Sequence, residues 1–474
     1  MRDSALPSPL SVPIAPAPRA RRARALLVIA LAELGAGCVL WPAGTREERE
    51  RLELAGAPYR APIEQRELTD LPSPATWRDL LARAFLANGD LEAAYFEWRA
   101  ALERVEIAAG WPNTGLMPSF STMFSSGSMK AWDRTTVSLA FDASENLDLP
   151  VKTRKAAEAA LADARAAGER SRAAKFALQR QVLDAWLDLA LVEERLRVAR
   201  TDLELLRVVA GTAAPRVQAG GPQRELVKAD IEVREAENRA LNAEAEARAM
   251  RAMLNGMLAR EPEAPLEFGE ELPEPRSLPD RDAEVLALGV EANPELAALV
   301  ERIAGREDAL ELARLMYLPN FNPFAGLTGS VTQVAGVAVM LPTTLPEIRG
   351  GIAEARAMLA EARAMERQTR LDRAASFVAA LIVLRNSTRE AELFEGSVLP
   401  AAQLLASTTQ QSYAAGSADL LELIEAQRTL LDVRLAVAEA RVERERRVAE
   451  LEQLAGVDFE TLAGAEEEHA DDRD

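Results

Sequence analysis

The sequence is written twice, and this limits its possible folds more than any other feature. LARAFLANGDLEAAYFEWRAALERVEIAAGWPNTG (81–115) recurs as LALGVEANPELAALVERIAGREDALELARLMYLPNFNP (286–323), with a shared Ala-Asn-x-x-Leu start, a helical run and a Pro-Asn pair. AAEAALADARA (156–166) recurs as IAEARAMLAEARA (352–364), and VQAGGPQRELVKADIEV (217–233) as YAAGSADLLELIEAQRTL (413–430). Three blocks in one order, about two hundred residues apart, mark a duplicated structural unit.

Each copy reads as helix, strands, long helix, break, helix. In the first, helices are expected at about 76–110 and 152–210, a break at AGGP (219–222), and a helix to about 259. Strands are expected at about 117–124 and 134–142, where Val137, Leu139 and Phe141 alternate with Thr136, Ser138 and Ala140. In the second, helices are expected at about 282–315, 347–413 and 418–455, with strands at 324–331 and 335–341. The Pro- and Glu-rich segment 260–281 reads as a connector, and 458–474 as an acidic disordered tail. The repeats are thus 76–259 and 282–457, preceded by an extended segment, 38–75.

The helical periods point to helices packed against helices. Leu178, Val182, Ala185, Leu189, Val192, Leu196, Ala199, Leu203 and Leu206 alternate spacings of four and three, the 3.5-residue period of a supercoiled seam. Leu423, Leu430 and Val437 form one row of seven-residue steps, and Ile424, Leu431 and Ala438 the adjacent row. Two adjacent rows give a helix neighbours on two sides. A helix over 347–413 would run roughly 100 Å, longer than one globular core.

The first 37 residues read as a secretory signal peptide: Arg19, Arg21, Arg22 and Arg24, an apolar stretch Ala25–Leu34, then Gly35, Ala36 and Gly37 before Cys38. The pattern resembles a bacterial lipoprotein signal, with Cys38 as the lipidated residue. Glu33 within the apolar stretch and Gly35 in place of the usual Leu depart from it. The stretch is far shorter than the ~20 residues of a membrane helix. Loss of 1–37 removes five Arg and two acids, taking the formal charge from −19 to −22. Such acidity, with no basic patch, argues against nucleic acid as a partner. One Cys and one His exclude a zinc site or a disulfide framework. No catalytic cluster or nucleotide loop is present, so no enzyme activity, cofactor or metal site is expected.

Tyr413-x-x-Gly416-x-x-x-Leu420-x-x-Leu423-Ile424-x-Ala426-Gln427-Arg428-Thr429-Leu430-Leu431 resembles the recurring pattern of the TolC-type outer-membrane efflux proteins. SVLPAAQ with Pro400, ANPEL (292–296), YLPNFNP (317–323) and LNGMLAREP (254–262) match as well, and the resemblance covers about 75–460. It implies a mainly α fold with a small β part. Duplicated long-helix hairpins form a trimeric α-helical barrel, and two short β-hairpins per protomer contribute to a β-barrel. It implies an outer-membrane exit duct, lipid-anchored and extending into the periplasm. Its partners would be two further copies, a periplasmic membrane-fusion adaptor, an inner-membrane pump of RND or ABC type, and outer-membrane lipid.

The breaks at 219–222 and 415–417 would be periplasmic tips. Gly416 suits a left-handed helix end, Ser417 the next N-cap and Asp419 the first turn. Gly220, Gly221 and Arg224 belong to the other tip. By the same resemblance Glu422 and Glu425 would be pore-lining gate carboxylates, gathered around the axis by three-fold symmetry and favouring cations. Tyr413 matches a residue that holds the entrance closed. Ala418 stands at its usual basic partner position, which leaves Arg224 as a substitute. The expected strands fall below or barely reach the ~9–11 residues of a membrane strand, so a reduced barrel with lipid anchoring is the alternative. The rival reading is a lipid-anchored periplasmic coiled-coil scaffold that does not conduct.

Overall fold

The computed structural model describes residues 40–68, 70–110, 116–124, 127–141, 148–218, 223–267, 276, 292–330, 332–415 and 417–459. The signal segment, Cys38, Gly220, Gly221, Gly416, most of the connector and the tail beyond Phe459 lie outside them. The chain forms two compact units. The smaller takes residues 1–43, 104–158 and 311–352, and the larger 44–103, 159–310 and 353–474. Each therefore draws on both repeats.

The described helices are α1 (Thr45–Ala55), α2 (Trp77–Ala87), α3 (Gly89–Ala109), α4 (Pro150–Gln218), α5 (Gln223–Met257), α6 (Pro294–Leu315), α7 (Leu345–Leu393), α8 (Leu399–Ala414) and α9 (Leu420–Ala455). A five-residue π turn, Phe394–Val398, joins α7 to α8. Pro400 follows it and cannot donate the next helical hydrogen bond. The segment 38–75, expected to be extended, carries α1 and two short 3₁₀ turns. α1 is held because Glu48, 5% exposed, accepts from the Trp98 indole at 2.8 Å.

The single helix expected over 76–110 is two helices. Asn88 leaves the helical conformation, and its side-chain oxygen accepts from the backbone of Asp90 at 3.0 Å and Leu91 at 3.1 Å. Asn293 accepts from Leu296 N at 2.9 Å in the same way. The repeated Asn-x-x-Leu is thus a helix N-cap in both copies, and each Leu is buried. A capping box of Thr76 and Asp79 starts α2.

In the larger unit, Leu178, Val182, Leu189 and Val192 of the α4 seam pack with Leu187, Leu254, Leu258 and Val442 in one core cluster. Both rows of α9 are buried: Leu423, Leu430 and Val437, and Ile424, Leu431 and Ala438. Phe459, the second residue of the expected tail, is also fully buried, packed with Phe377, Leu384 and Leu451.

The smaller unit is built on an antiparallel sheet of β1 (Leu116–Thr122), β2 (Thr135–Phe141), β3 (Asn320–Thr328) and β4 (Thr332–Met340), in that order. The first two strands have seven residues and the last two nine, which reverses the expected order of lengths. The second pair gains because β3 begins within the Pro-Asn block. Pro323 is tolerated there because pairing with β2 starts only at Phe324, so its position lacks a neighbour on that side. Lys152, at the start of α4, fixes the base of β3: its ammonium donates to Leu318 O at 2.9 Å and Asn320 Oδ1 at 2.6 Å. Burial lowers its pKa.

Register sorts the sheet into two faces. One carries Pro118, Phe120, Val137, Leu139, Ala325, Leu327, Val337 and Val339. The other carries Ser119, Ser121, Thr136, Ser138, Thr328, Thr332, Asn320 and Asn322, with hydroxyl pairs Ser119–Ser138 and Thr136–Thr328 across strands, interspersed with Met117, Phe324, Val334 and Met340. The apolar face is not covered by any of the described residues: Phe120 is 71% exposed and Val337 57%.

Candidate functional site

The α8–α9 turn is a local structure with its own hydrogen bonds. α8 ends at Ala414, and the Ser412 carbonyl then accepts from Ser417 N at 2.9 Å, Ala418 N at 3.3 Å and the Ser417 hydroxyl at 3.0 Å. Ser417 therefore closes the turn, and the expected N-cap role belongs to Asp419. Its carboxylate accepts from Glu422 N at 2.8 Å, and the Glu422 carboxylate accepts from Asp419 N at 3.2 Å. This is a reciprocal capping box. Asp-x-x-Glu before an apolar pair was its sequence signal.

Leu423 and Ile424 turn inward against Leu206, Val209 and Ala236, with Tyr413 partly buried against the same cluster. That leaves Glu422 and Glu425 on the opposite side, both exposed. Among the described residues neither is in an ion pair, while Arg428, one turn further on, pairs with the nearly buried Glu232 of α5. Arg224 is exposed in the first turn of α5 and forms no ion pair with either glutamate among the described residues. The structure thus brings Tyr413, Asp419, Glu422 and Glu425 to one turn. It makes Glu422 a capping residue as well as an exposed carboxylate.

A second charged constellation gave no sequence signal. Arg276, in the connector, is 7% exposed and reaches α9. Its Nε donates to Glu445 at 2.9 Å, Nη1 to Glu452 at 2.8 Å and Nη2 to the Glu445 carbonyl at 3.2 Å. Trp77 lies under the guanidinium, 5.6 Å from the ring centroid. Burial alone would lower the Arg276 pKa, but Glu452 and Glu445 outweigh it and raise it. Glu452, 1% exposed, is pushed up to about 6 by burial, against the opposing pull of Arg276. The clasp fixes the connector to the second repeat.

Among the described residues no group of three His, Cys, Asp or Glu could hold a metal ion, and no helix is long and apolar enough to cross a membrane. No family model matches the sequence. The cobalt-zinc-cadmium resistance protein CzcC of Cupriavidus metallidurans is 24% identical over 371 residues, which cover 76% of this chain and 85% of that protein. The outer membrane protein VceC of Vibrio cholerae superposes with a TM-score of 0.67 at 18% identity, over 81% of this chain and 96% of that one. A membrane protein of Pseudomonas aeruginosa gives 0.68 at 18%, over 83% and 92%. CusC gives 0.67 at 15%, over 81% and 92%.

Proposed function

We propose that this chain, which has the fold of the TolC-type outer-membrane efflux proteins and whose sequence likeness to CzcC supports that family, is the passive exit duct of an efflux system. The carrying observation is the sheet. It has one exposed, mainly apolar face, one face that mixes hydroxyl and amide groups with a few apolar side chains, and two outer strands, β1 and β4, with a single partner each among the described residues. An open edge cannot stand in lipid, so such a sheet must close on further copies. Four antiparallel strands leave β4 of one copy antiparallel to β1 of the next. Three copies would close a barrel of roughly twelve strands with the hydroxyl face inward, an arrangement suited to outer-membrane barrels.

In this reading the homotrimer continues into the periplasm as helices, and an adaptor and an inner-membrane pump of RND or ABC type complete the path. Cys38 is the lipid anchor. Leu40 N donates to Ala109 O at 3.1 Å, at the end of the helix leading into β1. Glu422 and Glu425 line the gate, with Tyr413, Gly416, Ser417, Asp419 and, on the other tip, Gly220, Gly221 and Arg224 shaping it. The exposed carboxylates favour cations, and CzcC is by name a cobalt, zinc and cadmium resistance protein, so we take divalent metal ions as the cargo.

Planar-bilayer recording of the purified protein tests the reading. Conductance is expected, with cation preference reduced in Glu422→Gln/Glu425→Gln. A monomeric rod without conductance would establish the lipid-anchored scaffold instead.

A further inference from the structure

We infer that the distal end of the β1–β2 hairpin is a lipid-binding element, seated in the headgroup layer of the membrane; this rests on the proposed placement of the sheet in the outer membrane. The β1–β2 ladder continues past the strands, with Met123 N donating to Arg134 O at 2.9 Å. The β3–β4 turn stops at that level. Gly329 N donates to Thr135 O at 2.9 Å, and Asp133 accepts from the backbone and hydroxyl of Ser330. The two turns touch so closely that a Cβ on Gly329 would meet Asp133 Cα at 2.3 Å. Met123, Phe124 and residues 127–132 therefore overshoot the neighbouring hairpin.

The overshoot carries four large apolar side chains in the open, where an aqueous loop would keep polar ones. Phe124 is 95% exposed, Met123 71%, Met129 54% and Trp132 53%, and Lys130 is the only charged residue between 123 and 132. Phe124 also continues, at two-residue steps, the row of Pro118 and Phe120 on the apolar face. Strand height supplies the reason. At ~3.3 Å per residue the strands run about 23 Å and 30 Å. Tilted by about 45°, they rise only about 16 Å and 21 Å, against an apolar band of ~25 Å. The apolar hairpin end makes up the missing height. Trp132 suits the headgroup level, and the Lys130 ammonium can meet lipid phosphate there.

The test uses the full chain in vesicles of phosphatidylethanolamine and phosphatidylglycerol, with or without phosphatidylcholine brominated on its acyl chains close to the headgroup. The fluorescence difference between wild type and Trp132→Phe isolates Trp132 from the other five tryptophans. Expected is loss of that difference signal in brominated vesicles and its persistence against aqueous iodide. Phe124→Trp on the Trp132→Phe background should respond alike. A signal quenched by iodide and spared by bromine overturns the inference, as does one quenched by neither, which would place the hairpin over the pore mouth. Flotation and conductance on the same preparation separate the two levels. Protein that floats and conducts but escapes bromine sinks the hairpin assignment alone; protein that does not float sinks the membrane placement with it.

Discussion

Replacing Glu452 by Gln should remove a specific slope from the pH dependence of stability. Glu452 is fully enclosed, and besides Arg276 its carboxylate meets Gln179 Nε2 at 3.5 Å and Phe459 N at 3.3 Å. Burial raises its pKa from 4.5 to about 6. A carboxyl group whose folded pKa lies above its unfolded one binds its proton more readily in the folded state. Stability from this group therefore rises as pH falls through 6 and levels off below 4.5, the opposite of the common salt-bridged acid. A shift of about 1.5 units corresponds to about 2 kcal/mol. Gln keeps a carbonyl acceptor for Arg276 but cannot titrate. In urea unfolding followed by tryptophan fluorescence, the stability of wild type minus that of Glu452→Gln should grow by about 2 kcal/mol between pH 7 and pH 4.5. Because only the difference is read, other titrating groups largely cancel. Parallel curves across that window, or a wild type that loses ground on acidification, would refute the account of the clasp.

Arg276→Ala should be far more damaging than Glu452→Gln, costing about 3–5 kcal/mol at pH 7, because it leaves the buried Glu452 carboxylate without its cation while Glu445 keeps Arg444; the same urea assay reads this, and the loss should shrink at pH 4.5. Asn88→Ala should lower stability by about 1 kcal/mol, since it removes an N-cap, and Asn293→Ala by more, since that buried amide also donates to Leu454 O at 2.6 Å; near-additive losses in the double variant would show two independent uses of one motif. Val337→Arg, on the apolar face of the longer hairpin, should cost about 2–4 kcal/mol of folding stability in lipid, while Ser138→Arg on the hydroxyl face should cost much less; equal losses in a vesicle refolding assay would mean the two faces are not lipid and lumen.

What could be read in the sequence was whatever repeats or has a period. The α4 seam from Leu178 to Leu206 and the paired rows of α9 were legible because helix burial imposes 3.5–3.6-residue spacing on every turn. The strands were legible in kind but not in extent. Pro323 looks like a terminator, and only the pairing of β3 shows that its position lacks the second neighbour that would exclude it. The cap role of Asn88 was hidden by its own repeat: the shared Ala-Asn-x-x-Leu was visible, but a helical composition on both sides masked the break. Arg276 could not be found at all. Its partners lie 169 and 176 positions away, and nothing local marks an arginine that will be buried. At the tip, Asp419 and Glu422 carried the capping-box spacing, and the resemblance drew attention to the pore before the backbone.

That double reading of Glu422 bears on the gate. A carboxylate that accepts from Asp419 N at 3.2 Å has one lone-pair direction committed to holding the turn, whereas Glu425 has no such tie among the described residues. In the proposed gate the two positions would therefore be physically unequal. Glu422 caps the turn, while Glu425 would be the one left to meet an ion in the proposed gate. Duplication accounts for why the turn exists at all, and the same logic extends upward through the fold. One β-hairpin is marginal in isolation. Two hairpins, one from each repeat, join through β2 and β3 into four strands, yet among the described residues still leave two edges and an apolar face bare. Among the described residues each level of assembly leaves unsatisfied surface for the next to cover, and in the proposed reading the last level is further copies of this chain.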